Sequence, residues 1–275
     1  MGNITNLFKG GRKKALTLSY DDGVTQDKRL VSIFNKYALK ATFNLNSGIQ
    51  SENNYWINKG KTIRRMNIEG IEDVYKGHEI AIHSVSHPHL EDLPKEMLIT
   101  EIFDDRKNLE KIFGYTVRGM AYPYGTYNEK VLRVMDNCGI EYSRTVNQHE
   151  KFNLPENFLE WHPTCHHNDK LIELGQKFVD FEYKGKLKLM YVWGHSFEFH
   201  RENNWKLIED FCKLVSGKED IWYTTNVEIM RYVKALKTLE FSAAGDMVYN
   251  PTAISVWINV NDKAVEVKSS QIVKL

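Results

Sequence analysis

ALTLSYDDG, at residues 15–23, is the most informative stretch of this 275-residue chain. Leu16, Leu18 and Tyr20 alternate with smaller residues and predict a strand over residues 15–20. Asp21 and Asp22 follow it and lead into a glycine turn. Adjacent carboxylates at the end of an apolar strand are typical of the catalytic edge of a parallel sheet. A plain Asp-Asp-Gly turn would have the same sequence.

From this strand onward, apolar strands alternate with amphipathic helices. We predict helices over residues 26–37, 63–75, 94–113, 128–137, 169–183, 205–215 and 226–236. Further strands are predicted at residues 41–45, 79–83, 117–121, 141–145, 158–161, 187–193 and 221–223. Seven or eight strand–helix units predict an α/β fold with a parallel sheet, and the length of the chain favours closure into a (β/α)7-8 barrel.

The pattern changes after Lys237, where apolar residues alternate in twos between turn residues. Residues 238–275 are therefore predicted to form a small C-terminal antiparallel β appendage, with a hairpin turn at residues 261–263. It is too short to be stable unless it packs on the main body. The expected organisation is a catalytic barrel over residues 1–237 and an appendage over residues 238–275.

Charge and cysteine content exclude several classes of protein. Lys and Arg total 37 against 36 Asp and Glu, so no general attraction to nucleic acid or to a membrane surface is expected. Three cysteines, an odd number in a long chain, argue against a disulfide framework. Residues 1–11 contain no apolar stretch of signal-peptide length, so we expect a cytoplasmic protein unless a leader has been removed.

Two later segments add imidazoles to the paired carboxylates. HSVSH, at residues 83–87, follows a predicted strand and carries His83 and His87. His195 ends the apolar strand over residues 187–193. One carboxylate and two neutral imidazoles are typical of catalytic zinc centres, which keep a position open for water. A second carboxylate and a third imidazole would supply a base and an acid, so the residues predict a metal-assisted hydrolase.

The ordered motifs SYDDG, HSVSHP, YPYG and WGHS, spread over about residues 14–236, resemble those of the polysaccharide deacetylase family, also called carbohydrate esterase family 4. The resemblance implies a distorted (β/α) barrel that removes acetyl groups from N- or O-acetylated carbohydrates. It also implies a divalent metal, for which we predict Zn²⁺, with Co²⁺, Ni²⁺ and Mn²⁺ as alternatives.

Carried onto this chain, the resemblance assigns roles to individual residues. Asp21 would be the general base, and His195 the general acid. The backbone N–H of Tyr124 would hold the oxyanion. The metal ligands would be Asp22, His83 and His87. The candidates for substrate contact are Trp161, Trp193 and His162.

Two departures from the family pattern are visible. Ala121 stands where the family usually has an arginine that holds the base, and Arg118 and Arg144 are the candidates to replace it. The region of the fourth family motif reads EWHPTCHH at residues 160–167. Its histidines could bind substrate, contact the metal or lie on the surface, and His162 is the best placed.

Two other functions stay open at this stage. The first is an amidohydrolase acting on a small non-sugar C–N bond, which a pocket plugged by the polar loop 46–61 would favour. The second is a carbohydrate-binding homologue that has lost catalysis, suggested by the missing arginine. The acetylated compound, the choice between amide and ester, and the oligomeric state do not follow from the sequence.

Overall fold

A curled parallel sheet surrounded by helices forms the centre of the computed structural model, which describes residues 4–275. The strands are β1 (Ile4–Leu7), β2 (Lys14–Asp21), β3 (Thr42–Leu45), β4 (Tyr55–Asn58), β5 (Lys61–Arg64), β6 (Glu79–Ile82), β7 (Gly119–Ala121), β8 (Tyr142–Arg144), β9 (Cys165–His166), β10 (Lys188–Gly194), β11 (Ile221–Tyr223), β12 (Glu240–Phe241), β13 (Met247–Tyr249), β14 (Val256–Val260), β15 (Lys263–Val267) and β16 (Ile272–Lys274). The α-helices are α1 (Asp27–Lys36), α2 (Ile71–Val74), α3 (Lys95–Phe113), α4 (Glu129–Asn137), α5 (Leu171–Val179), α6 (Ser196–Arg201), α7 (Trp205–Val215) and α8 (Asn226–Lys237).

The parallel strands follow the order β8-β7-β6-β3-β2-β10-β9, and β11 pairs with the first half of β2. At one edge of this sheet, Arg144 of β8 forms a bridge with Trp161. At the other edge, Cys165 of β9 pairs with Val192 of β10. Residues 161–166 therefore contact both edges, and the sheet curls into an irregular barrel. The predicted α/β barrel is confirmed.

Strand β2 runs through the middle of the sheet and is buried along its whole length. Leu16, Leu18 and Tyr20 belong to the hydrophobic core shared with the surrounding helices. Thr17 and Ser19, which alternate with these three residues, point into the barrel and make polar contacts there. Thr17 donates to Asn226 at 2.7 Å, and Ser19 accepts from Asn44 at 2.9 Å. The alternation seen in the sequence thus separates the helix-facing side of the strand from the barrel interior.

Most predicted helices are confirmed, but two predicted elements are wrong. Residues 55–64, instead of a loop leading into a helix, form the hairpin β4–β5, in which Lys59 and Gly60 both have positive φ as a tight two-residue turn requires. Only Ile71–Val74 of the predicted helix 63–75 is helical. The predicted strand 158–161 is instead a 3₁₀ turn at Phe158–Glu160, begun by an Asn157 side chain that accepts from the N–H of Leu159.

The C-terminal segment forms two antiparallel sheets, ordered β1-β14-β15 and β12-β13-β16. The predicted turn is present, with Asn261 and Asp262 both at positive φ. Tyr232 of α8 links the pieces, because its hydroxyl donates to the carbonyl of Leu7 and accepts from the N–H of Trp257. The N-terminal strand thus shares a sheet with the appendage. The division of the chain into residues 1–237 and 238–275 stays a prediction, and residues 1–3 lie outside the part that the structure describes.

Among residues 4–275, no helix is both long enough and apolar enough to cross a membrane.

Candidate active site

Polar side chains from several strands meet at the carboxyl-terminal edge of the barrel. Asp21 ends β2, His83 follows β6, Arg144 ends β8, and His195 follows β10. They surround or underlie a cavity of about 510 Å³. Its lining comprises Asp21, Asp22, Trp56, Arg65, His83, His87, Tyr122, Tyr124, Gly125, Val146, Trp193, His195 and Phe197.

Asp22, His83 and His87 converge as predicted. Each offers a ligand atom, and these atoms all lie within 4.8 Å of one another. The Nε2 atoms of the two histidines are 3.1 Å apart, and Nε2 of His87 lies 3.9 Å from Oδ1 of Asp22. Asp22 and His87 both adopt positive φ, a strained conformation that is often found at functional sites.

The chemistry of these donors fits a divalent metal. Nδ1 of His83 lies 2.7 Å from the carbonyl oxygen of Ala121, which can only accept, so Nδ1 carries the proton and Nε2 presents its lone pair. Burial lowers the pKa of His83 to about 4 and keeps the ring neutral. Burial opposes the charged form of Asp22, but His195 and Arg65 outweigh it and lower the pKa of Asp22 to about 2. Two neutral imidazoles and one carboxylate are a suitable ligand set for Zn²⁺.

Asp21 lies at the bottom of the cavity and is 2 % exposed. Its Oδ1 accepts from Nδ2 of Asn44 at 2.7 Å, and its Oδ2 forms a short ion pair with Nη2 of Arg144. Burial would raise the pKa of Asp21, but Arg144 together with the facing His83 and His195 rings outweighs burial and lowers it. Asp21 is therefore held as a carboxylate in one orientation.

Of the two arginines that the sequence offers to hold Asp21, Arg144 is the one that reaches it. It is directly paired with Ala121 in the β7–β8 register, so its guanidinium reaches Asp21 from the neighbouring strand at the same level of the barrel. The guanidinium also lies 4.4 Å from the centre of the Trp193 ring. Arg118, the other candidate from the sequence, instead contacts the carbonyl of Gly139 and Glu141.

His195 faces both aspartates. Its Nε2 lies 3.8 Å from Oδ2 of Asp21 and 3.9 Å from Oδ2 of Asp22, and its side chain is 24 % exposed. Burial opposes the charged ring, but Glu198 and Asp22 outweigh burial and raise the pKa of His195 to about 9.

Tyr124 lies at the rim of the cavity within the 3₁₀ turn Pro123–Gly125, at φ 58°. Its ring is 57 % exposed, stacks on His89 with centroids 4.0 Å apart, and meets the His87 ring edge-on at 4.6 Å. His89, which the sequence does not connect with any role, thus supports the ring of Tyr124.

Comparison with known proteins agrees with these motifs. Residues 9–143 match the sequence model of the family described as polysaccharide deacetylase. The chain belongs to the polysaccharide deacetylase family. The matched segment contains the paired aspartates, His83 and His87 of the candidate metal site, and Tyr124, whereas His195 lies beyond it.

Two relatives of this family member carry the name "putative polysaccharide deacetylase". YxkH of Bacillus subtilis (strain 168) is 24 % identical over 136 residues, which cover 49 % of this chain and 45 % of YxkH, so the match spans less than half of that protein. The solved structure from Mycobacterium smegmatis has a TM-score of 0.61 and 16 % identity, covering 86 % of this chain and 96 % of that one.

A third relative is the family 4 carbohydrate esterase from Streptomyces lividans, solved in complex with acetate. It has a TM-score of 0.51 and 15 % identity, and covers 77 % of this chain and 92 % of that one. At these identities the structural likeness shows the shared fold.

The predicted substrate-contact residues of this polysaccharide deacetylase family member lie in three different places. Trp193 lines the cavity beside His195. Trp161 is 1 % exposed and packs in the core against Phe158 and Tyr191. His162 lies 2.6 Å from the hydroxyl of Thr145 and lines a separate cavity. The structure therefore brings only Trp193 to the catalytic rim.

Sequence reasoning missed the residues that the β4–β5 hairpin and its flanks contribute. Nη2 of Arg65 lies 3.2 Å from Oδ1 of Asp22, and Gln50 donates to the backbone carbonyl of Asp22 at 2.8 Å. Trp56 packs edge-on against Phe197 with centroids 5.5 Å apart and forms one wall of the cavity. The Lys59–Gly60 pair between two short alternating segments was the available signal.

Asp27, at the start of α1, connects the barrel with the segment after His195 through hydrogen bonds. It is fully buried and accepts from the hydroxyls of Tyr75 and Ser196. Burial outweighs these hydrogen bonds and raises the pKa of Asp27 from 3.8 to about 7. Between these two pH values the folded chain keeps a proton that the unfolded chain releases, so this carboxyl makes the protein less stable as the pH rises from about 4 to 7.

We therefore expect Asp27→Asn to stabilise the protein relative to wild type at pH 8 but not at pH 4. The difference between a pKa of 3.8 and one of about 7 corresponds to a change of at most about 4 kcal/mol in the free energy of unfolding. Urea unfolding of both proteins at the two pH values measures it. Equal differences in unfolding free energy at pH 4 and pH 8 would contradict the prediction.

Proposed function

We propose that this protein is a metal-dependent hydrolase that removes acetyl groups from an N- or O-acetylated carbohydrate. The observation that carries the proposal is the joint placement of Asp22, His83 and His87 within 4.8 Å, with Asp21 and His195 lining the same cavity. A carbohydrate-binding protein without catalysis would have no use for a buried, oriented carboxylate that faces an imidazole.

The substrate class comes from the family and from one relative. The Streptomyces lividans protein is named a family 4 carbohydrate esterase and was solved with acetate, the product expected here. Trp193 and Trp56 supply apolar rings to the cavity, and aromatic rings pack well against acetyl methyl groups and sugar faces.

Asp22, His83 and His87 would hold the divalent ion, which when bound lowers the pKa of water and polarises the acetyl carbonyl. Asp21 is placed to accept a proton from the attacking water, because Arg144 and Asn44 fix its carboxylate.

His195 also lines the cavity, and its Nε2 proton would pass to the leaving nitrogen or oxygen as the bond to the acetyl carbon breaks. The backbone N–H of Tyr124 would donate to the carbonyl oxygen on which negative charge develops. Loss of one such donor typically costs about a hundredfold or more in rate.

Asp21→Asn is expected to lower kcat for acetate release about 100- to 10,000-fold, because the amide cannot take a proton from water. Acetate released from a panel of N- and O-acetylated oligosaccharides measures the loss, and a chelator should abolish the wild-type activity.

Asp210→Asn is the matched control, since this aspartate is exposed on α7, pairs with Lys206 and does not line the cavity. It should retain wild-type activity. Asp21→Asn with undiminished acetate release would contradict the assigned base, and no release by wild type from any member of the panel would contradict the carbohydrate substrate.

A small non-sugar amide is the second candidate substrate. It is favoured by the hairpin wall, where Trp56 and Phe197 narrow a cavity of about 510 Å³ on one side. Small acetamides and other linear amides added to the same panel distinguish the two candidates by their relative kcat/KM.

A further inference from the structure

A second cluster of titratable side chains surrounds Glu198, on the first turn of α6. Oε2 of Glu198 lies 2.9 Å from Nε2 of His166 and 3.0 Å from Nε2 of His167. Its other oxygen, Oε1, lies 3.6 Å from Nη2 of Arg201 and 3.8 Å from Nδ1 of His195. A single carboxylate is thus enclosed by three imidazoles and a guanidinium.

This cluster has the composition of a metal site, but the proton positions argue against one. Nδ1 of His166 accepts the backbone N–H of Asn168 at 3.2 Å, so in the neutral ring the proton is on Nε2 and faces Glu198. In His83 the two ring nitrogens have the opposite roles, because Nδ1 carries the proton that faces a carbonyl and Nε2 is free to bind a metal. The cation of Arg201 beside Glu198 would also repel a dication.

The Glu198 carboxylate lies against buried neighbours. Its Oε2 is close to both histidines, although within residues 4–275 neither Oε2 nor the ring nitrogens of His167 meet hydrogen-bond geometry. His167 is fully buried and is enclosed between the rings of Tyr20 and Phe199, with centroids 5.7 and 4.1 Å from its own. Room for His167 depends on Gly194, where an added Cβ would lie 2.0 Å from Nδ1 of His167. The residue before His195 is therefore adapted to the imidazole that contacts Glu198.

Nδ1 of His195 is buried and has no hydrogen-bond partner within residues 4–275. The carboxylate oxygen that faces it, at 3.8 Å, is Oε1 of Glu198. Catalytic hydrogen bonds are often long before substrate binds and shorten in the complex.

We propose that Glu198, which lies within 3.0 Å of His166 and His167, is the positioning residue for His195: it accepts the Nδ1 proton and so directs Nε2 toward the cavity. This inference rests on the proposed function. With Nδ1–H fixed on Glu198, the Nε2 proton passes to the leaving nitrogen while the bond between that nitrogen and the acetyl carbon breaks, and the carbonyl carbon keeps the oxygen gained from water.

The test compares two substrates that differ in their need for an acid. An N-acetylglucosamine oligomer has an amine leaving group that must be protonated, whereas 4-nitrophenyl acetate releases a phenolate without a proton. Glu198→Gln should lower kcat on the oligomer about 100-fold, with KM little changed, and lower hydrolysis of 4-nitrophenyl acetate far less. The ester activity also reports that the variant is folded and its metal site intact.

Matched variants separate positioning from general damage. Glu209→Gln changes the same kind of side chain on α7, where Glu209 pairs with Lys36, and should leave the ratio of the two activities unchanged. His166→Gln keeps an N–H donor and should retain more oligomer activity than His166→Ala. Equal losses on both substrates in Glu198→Gln would overturn the proposal.

A measurement without turnover keeps this inference separate from the proposed function. In ¹⁵N-histidine-labelled protein, the Nδ1 proton of His195 should be visible and protected from exchange with water, and Glu198→Gln should abolish the protection. If wild type deacetylates no saccharide, this NMR result alone decides the role of Glu198. Unchanged protection in Glu198→Gln would overturn it, as would a second equivalent of bound Zn²⁺ that His166→Gln removes.

Discussion

Arg144→Met is expected to lower the free energy of unfolding by about 3–5 kcal/mol, the usual result of breaking a buried ion pair from one side. The Arg144 and Asp21 side chains are 1 % and 3 % exposed, so without the guanidinium the buried Asp21 carboxylate keeps only the more distant His195 ring, at 3.8 Å, to offset its charge. The pKa of Asp21 should rise for the same reason, and acetate release at neutral pH should fall with it. Urea unfolding and a pH profile of acetate release measure the two effects.

Arg118→Met is the matched control for this prediction. Arg118 lies on the approach to β7, its side chain is 29 % exposed, and it pairs with the half-exposed Glu141, so about 1 kcal/mol or less should be lost. The double variant Arg144→Met/Asp21→Asn should be more stable than Arg144→Met alone, because the unpaired charge is gone. Equal destabilisation by the two arginine variants would mean that Arg144 acts through packing and not through its charge.

His87→Asn is expected to weaken metal binding by at least about a hundredfold, since even residues behind metal ligands change affinity tenfold to a hundredfold. Asparagine is chosen because the backbone at His87 has φ 62°, which asparagine tolerates better than alanine does. Zn²⁺ titration of the metal-free protein, followed by calorimetry, measures the affinity, and acetate release should fall in parallel.

His89→Asn tests the same change two residues away. The His89 ring stacks on Tyr124, and its polar contacts are with Thr126 and Glu91. Zn²⁺ affinity should therefore stay within a few-fold of wild type. If His87→Asn binds Zn²⁺ as tightly as wild type does, the triad of Asp22, His83 and His87 is not the metal site.

Local sequence was sufficient for most helices and for the positions of the motif residues. Pro94 and Gly114 bracket α3 as predicted, because proline suits the start of a helix and glycine reaches the left-handed conformation at its end. The hairpin β4–β5 was missed because Ile63 and Met66 also fit a helical spacing, and the Lys59–Gly60 turn outweighs that preference. Trp161 was assigned to the substrate from its place in the chain, whereas packing against Phe158 and Tyr191 turns it into the core.

The amino-acid sequence alone determined that strands alternate with helices, because hydrophobic periodicity and turn residues act over a few neighbours. It also placed Asp21 and Asp22 at the end of one strand and His83 and His195 at the ends of two others. It could not choose between Arg118 and Arg144, nor connect Glu198 with His166 and His167. Those pairings depend on which strands are neighbours and in what register, and register is set by the packing of the whole sheet. The alignment of Ala121 with Arg144 across β7 and β8 is such a case, and it exists only in the folded barrel.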